Sequence, residues 1–169
     1  MDSDTLSKQI LKEINPELPG PQVPRKKLGK DGAVQLDHWS HAILMERAAY
    51  MRKLAKHGDG SASETLKEYP QHFTMLSFRD RDGVVELHED FADLFVVLDG
   101  RATLLTGGTI IGAETIAPGE IRGVSIMGGT RQELRAGDVA HVPAGLAHQM
   151  LVPGDKTFTA FVMKIREKP

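Results

Sequence analysis

The chain has 169 residues, enough to bury one substantial core, and its 40% apolar and 26% charged residues are ordinary for a globular domain. A net charge of −2 gives no electrostatic reason to expect nucleic acid or an anionic membrane as a partner. With no cysteine, disulfides, thiolate metal ligands and cysteine nucleophiles are excluded. No apolar run approaches the roughly 20 residues that span a bilayer. Met1 to Pro16 is polar and charged, without the apolar core of a signal peptide. The expectation is a cytoplasmic protein, or an exported one if a leader has been removed.

Leu6, Ile10 and Ile14 recur four apart and predict a short amphipathic helix over residues 5–14. Asn15-Pro16 ends it, because the residue before proline is pushed out of the helical region. An arm rich in Pro and Gly follows over residues 16–32, and its Arg25-Lys26-Lys27 cluster reads as a solvated face. Ser40 caps a second helix running to about residue 56, with Leu44, Ala48, Met51 and Ala55 as its apolar stripe. Basic residues gather at its C-terminal end, and Gly58 suits a left-handed residue after it. Ser61 and Glu64 fit a capping box that opens a third helix, closed by Tyr69-Pro70.

From Phe73 the pattern changes to short strands. They are expected at 73–78, 84–88, 94–98, 102–106, 121–126, 132–134, 138–142, 147–152 and 158–164. Asp82-Gly83, Asp99-Gly100 and Gly107-Gly108 read as tight turns, and the stretch around Ala117-Pro118-Gly119 as irregular. So many short strands argue for an antiparallel sandwich or barrel. The glycine pairs lack the strand-to-helix context of a nucleotide loop, and no Gly-x-Ser-x-Gly element occurs.

Glu86 and His88 are two apart in a predicted strand, so both point to one face while Leu87 points to the other. Asp93 opens the next strand, and His148 follows a Pro143-x-Gly145 turn far along the chain. If those hairpins are neighbours, four donors converge. The alternative is that His88 and His148 are hydrogen-bonded core residues, with Asp93 paired to a backbone amide. His141 reads as structural or at the rim, His72 has only a weak claim on the pocket, and His38, His41 and His57 fall in the helical part. The six phenylalanines and most methionines read as core, although Met75 and Met150 could line a pocket.

The spacing Gly137, five residues, Pro143-x-Gly145, two residues, His148 resembles the second motif of the cupin superfamily; Val152 stands where asparagine is usual. Glu86-x-His88, four residues, Asp93, six residues, Gly100 resembles its first motif, with Glu86 at the first histidine position and Asp93 at the glutamate position. The resemblance covers residues 73–169. It implies an all-β double-stranded β-helix, or jelly-roll, cupin barrel, with residues 1–72 as an N-terminal helical extension and arm. It also implies one divalent metal ion, Mn, Fe or Zn, on His88, Asp93, His148 and Glu86. Two carboxylates with two imidazoles suit Mn²⁺ or Fe²⁺, and zinc remains possible. If Glu86 turns away, it is a candidate general base beside an open coordination position. Asp93 is shorter than glutamate by one methylene, about 1.5 Å, so the metal must shift or a strand must close in.

Two functions follow. One is a small metal-dependent enzyme acting on a small organic molecule, by dioxygenase or isomerase chemistry. The other is a non-enzymatic ligand-binding or sensory barrel without a required metal. A homodimer is expected in either case, because a sheet has edges to cover.

Overall fold

The computed structural model describes residues 36–167. The expected first helix, the arm and its basic cluster lie outside the described residues. Helix α1, His41–Ala55, starts where the sequence places it: the Ser40 hydroxyl accepts the Ile43 N–H at 3.3 Å. Its buried side chains are Leu44, Ala48, Met51 and Ala55, the predicted stripe. The left-handed glycine beyond it is Gly60, with φ 84°, rather than Gly58. No described helix is long and apolar enough to cross a membrane.

The expected third helix is instead strand β1, Ser61–Glu68, paired antiparallel with β2, His72–Arg79. Ala62 and Leu66 lie four apart, which suits either period, and both pack under α1. The two capping-box residues serve other partners. Ser61 donates its hydroxyl to Asp59, and Glu64 takes two hydrogen bonds from Arg47 of α1.

The other strands are β3 Val85–His88, β4 Phe91–Thr106, β5 Thr109–Ile111, β6 Glu114–Ala117, β7 Glu120–Gly123, β8 Ser125–Met127, β9 Thr130–Arg135, β10 Val139–Val142, β11 His148–Leu151 and β12 Phe158–Arg166. All pairings are antiparallel. The main order is β1-β2-β12-β4-β11-β3-β7-β6, with β9 and β10 also on β4, and β5 pairs with β8 alone. The sheet curls into a half-barrel around Phe73, Met75, Phe95, Val97, Ala102, Leu104, Met150 and Phe158. Helix α1 covers its outer face over Leu76 and Phe78.

Asp99-Gly100 is not a turn. The two predicted strands on either side of it are one strand, β4, whose first half pairs with β10 and β12 and whose second half pairs with β9 and β11. The β4–β12 register shifts beside this point, a bulge. Phe95 and Val97 point into the core before it, and Ala102 and Leu104 after it, so the inward set changes from odd to even numbers. Without that slip one half of β4 would turn its polar face inward. Gly100 sits at φ 78°, and a Cβ there would lie 1.9 Å from the Thr157 carbonyl oxygen.

Asp82-Gly83 also departs from expectation, because it joins β2 to β3, which are not partners. It lies along β11: the Gly83 N–H donates to the Met150 carbonyl at 2.7 Å, and the Gln149 amide donates to the Gly83 carbonyl. The single strand expected at 121–126 is two, β7 and β8, and β6 and β7 form a hairpin across Pro118-Gly119.

Candidate metal centre

Strand pairing brings the sequence-distant donors together. His148 is the cross-strand partner of Glu86 on one side and of Thr106 on the other. Alternation along β3 puts Glu86 and His88 on one face, while Val85 and Leu87 belong to a separate apolar cluster. The Pro143-Ala144-Gly145 turn is fastened to the same strand, because the Gly145 N–H donates to the His88 carbonyl at 2.7 Å. Asp93 enters from the first half of β4.

The result is a cluster of Glu86, His88, Asp93 and His148 in which one ligand atom from each lies within 4.8 Å of the others, a group that could hold a metal ion. Nε2 of His148 is 3.3 Å from Asp93 Oδ2 and 3.7 Å from Glu86 Oε2. Nε2 of His88 is 3.7 Å and 3.5 Å from the same two oxygens. Donors held on one cation by bonds of about 2.1 Å lie about 3.4 Å apart in a tetrahedron. These four separations fit a single small cation, and the short Asp93 side chain stands level with the other donors. Asp93 is 1% exposed, while Glu86 keeps 25% of its side chain in contact with solvent.

The outer nitrogens are fixed. Nδ1 of His88 lies 2.7 Å from Glu120 Oε2, and Arg122 donates to that same oxygen at 2.9 Å. Nδ1 of His148 lies 3.3 Å from the Leu146 carbonyl. Each ring thus has a reason to carry its proton on Nδ1 and to turn Nε2 inward. Nε2 of His148 and Oδ1 of Asp93 are buried with no hydrogen-bond partner among the described residues. Asp93 Oδ1 is an acceptor, and Nε2 of His148 is one in the neutral ring, where a cation would take the place of the proton that the two carboxylates otherwise hold there.

Two members of this environment were not singled out in the sequence. Glu120 pairs with His88 across β3 and β7, and the stretch before it read as irregular. Lys164 pairs with Asp93 across β4 and β12, and its side chain is buried. Its Nζ donates to Asp93 Oδ2 at 2.6 Å and lies 2.7 Å from His88 Nε2. The signal for it was alternation: Phe158, Ala160 and Val162 face the core, and Lys164 is next in that row.

The electrostatics follow from this packing. Burial alone would raise the Asp93 pKa, but the Lys164 charge and the two imidazoles outweigh it and hold the carboxyl at about 2. Burial also opposes ionisation of Glu86, and His148, His88 and Lys164 reverse it, leaving the carboxyl well below its usual range. The His148 imidazole is disfavoured as a cation by burial, yet the Asp93 and Glu86 carboxylates raise it to about 9. For His88, burial and Lys164 push toward the neutral ring, and Glu120 and Glu86 outweigh them, so its pKa rises. The 2.7 Å contact with Lys164 nonetheless needs Nε2 as acceptor, which assigns the His88 proton to Nδ1.

The remaining histidines stay outside the cluster. His141 is exposed near Glu167, His72 stacks on Tyr69 at 4.3 Å, and His38, His41 and His57 are exposed. Met75 and Met150 are part of the barrel core.

No family model and no curated protein matches the sequence. Among solved structures, a Klebsiella pneumoniae uncharacterised conserved protein with a double-stranded β-helix domain is similar, with TM-score 0.53 and 16% identity. That match covers 78% of this chain and 91% of the other. The DMSP lyase DddQ from Ruegeria pomeroyi matches with TM-score 0.48 and 17% identity over 64% of this chain. The chain spans about half of that lyase, 48% of its length. The Schizosaccharomyces pombe Cnp3 cupin domain matches with TM-score 0.48 and 13% identity, covering 63% of this chain and 65% of that one. An identity of 16% speaks to the fold alone, and the Klebsiella pneumoniae match, with the strand order and the bulged crossing of β4, shows that the chain has a double-stranded β-helix, the fold that the cupin resemblance implies.

Proposed function

We propose that the barrel holds one divalent metal ion, Mn²⁺, Fe²⁺ or Zn²⁺, on His88, His148, Asp93 and Glu86, and that a small organic molecule binds beside it. One observation carries the reading: two imidazoles locked through Nδ1 turn Nε2 toward two carboxylates at 3.3 to 3.7 Å. Such an ion would supply Lewis acidity, polarising an oxygen of the bound molecule. The chain's own residues do the rest. Glu120 and Arg122 orient His88, and the Leu146 carbonyl orients His148. Phe95, packed edge-on to the His148 ring, keeps water from that side. Glu86, which alone among the four donors keeps a quarter of its side chain exposed, is the donor that meets the bound molecule; it is either the fourth ligand or, where it turns away from the ion, the base that takes a proton from that molecule.

A second reading is favoured by Lys164. Its ammonium already satisfies Asp93 and His88, so the same barrel can be a metal-free ligand-binding module. A homodimer is part of the proposal: among the described residues β1 and β6 end the strand order, and the ends of a sheet are where a second copy can pair.

Metal analysis and titration calorimetry decide between the two readings. One Mn²⁺, Fe²⁺ or Zn²⁺ per chain is expected, with His148→Ala weakening affinity at least about 100-fold, beyond the usual cost of losing an outer-shell partner. Equal metal in wild type and His148→Ala, or none in wild type after reconstitution, overturns the metal site and leaves the binding module.

A further inference from the structure

Lys164 is a cation already standing among the donors. Burying a lysine is costly unless its charge is paired, and the inward row of β12 is otherwise apolar: Phe158, Ala160 and Val162. An aliphatic residue would continue that row at lower cost. What holds the ammonium is Asp93 Oδ2 at 2.6 Å and His88 Nε2 at 2.7 Å. These are the same two atoms that lie within 3.3 to 3.7 Å of the other donors. A divalent ion bound to all four would bring two positive charges close to the buried Nζ, where repulsion is little screened. Ion and ammonium therefore exclude each other from Asp93 and His88. The lysine stem has four rotatable carbons, so Nζ can withdraw without moving β12.

We propose that Lys164 is a tethered cation that competes with the metal for Asp93 and His88 and so sets the metal affinity of this site. The inference rests on the metal reading above. Without metal, the ammonium neutralises part of the carboxylate charge, and the buried Asp93 keeps a partner. With metal, the side chain must leave both atoms, and the ion must bind well enough to displace it. The donor set alone then overstates the affinity of the protein.

Calorimetric titration of the full chain with Mn²⁺ and Zn²⁺ tests this, using wild type, Lys164→Met and Lys164→Ala. Both variants are expected to bind at least tenfold more tightly than wild type. The alanine variant, and the poor match of a thioether with Mn²⁺, guard against an added sulfur ligand. Equal or weaker binding by both variants, with wild-type binding intact, overturns the competition and leaves the metal reading standing. Binding by none of the three overturns the metal reading and the competition with it. Either variant takes the ammonium from the buried Asp93 before metal arrives and leaves it only the imidazoles, so folding can fail. Wild type then supplies the answer through NMR of lysine labelled at Cε, with Lys164→Arg for assignment. Zn²⁺ saturation is expected to move the Lys164 signal, and a signal that stays in place overturns the proposal.

Discussion

An imidazole is a dependable ligand only when its second nitrogen has somewhere to put its proton. Glu120 gives His88 that partner; burial opposes its charge, but His88 first and Arg122 after it outweigh burial and hold its carboxyl below the usual range, and Arg122 fixes its place. Glu120→Ala should therefore weaken metal binding by about 10–100-fold, as outer-shell losses do, while leaving the circular dichroism spectrum unchanged. Affinity equal to wild type in a calorimetric titration would show that His88 needs no carboxylate to orient it. Glu86 and His88 could be placed together because alternation in one strand fixes their face, Asp93 because it opens the next strand and His148 because a Pro143-x-Gly145 turn precedes it. Glu120 and Lys164 could not be. Each meets the cluster through strand pairing, His88 with Glu120 and Asp93 with Lys164, and one sequence does not reveal which strands are neighbours.

Strand β4 shows what a single glycine contributes to an element. Phe91–Thr106 serves both halves of the sheet, and the bulge beside Gly100 keeps Asp93, Phe95, Ala102 and Leu104 on the inside. Gly100→Ala forces a side chain onto a backbone at φ 78° and into the Thr157 carbonyl oxygen. Positive φ alone costs an ordinary residue about 1–3 kcal/mol, and the clash adds to it. Urea denaturation should show a loss of at least about 3 kcal/mol, or no folded protein; a loss below about 1 kcal/mol would mean that the crossing can relax. The sequence announced the glycine but not its use, because Asp-Gly is the commonest hairpin signal and a bulge needs the partner strand to be seen. Helix α1 was legible for the opposite reason: its cap and stripe are local. Strand β1 was misread because Ala62 and Leu66 fit either period and the partner that decides between them is β2.

Across the whole molecule, the candidate ligands come from segments far apart in the chain. His88 and Glu86 come from β3, Asp93 from the first half of β4 and His148 from β11, so the cluster bridges both halves of the sheet. The unfolded chain cannot assemble that set, so a metal bound there stabilises only the folded state. At a free metal concentration about a hundred times the dissociation constant, the gain is about 2.7 kcal/mol. For a chain of this size that corresponds to a rise in melting temperature of about 5–11 °C. Differential scanning calorimetry with Zn²⁺ or Mn²⁺ should show the rise, and a chelator should reverse it. His148→Ala should show little of it at the same metal concentration. Lys164→Met should begin lower, with the ammonium gone from the buried Asp93, and gain more than wild type when metal is added. A rise of the same size in wild type and His148→Ala would place the stabilising metal elsewhere on the protein. No rise in any variant would leave Lys164 as the cation that holds this cluster together.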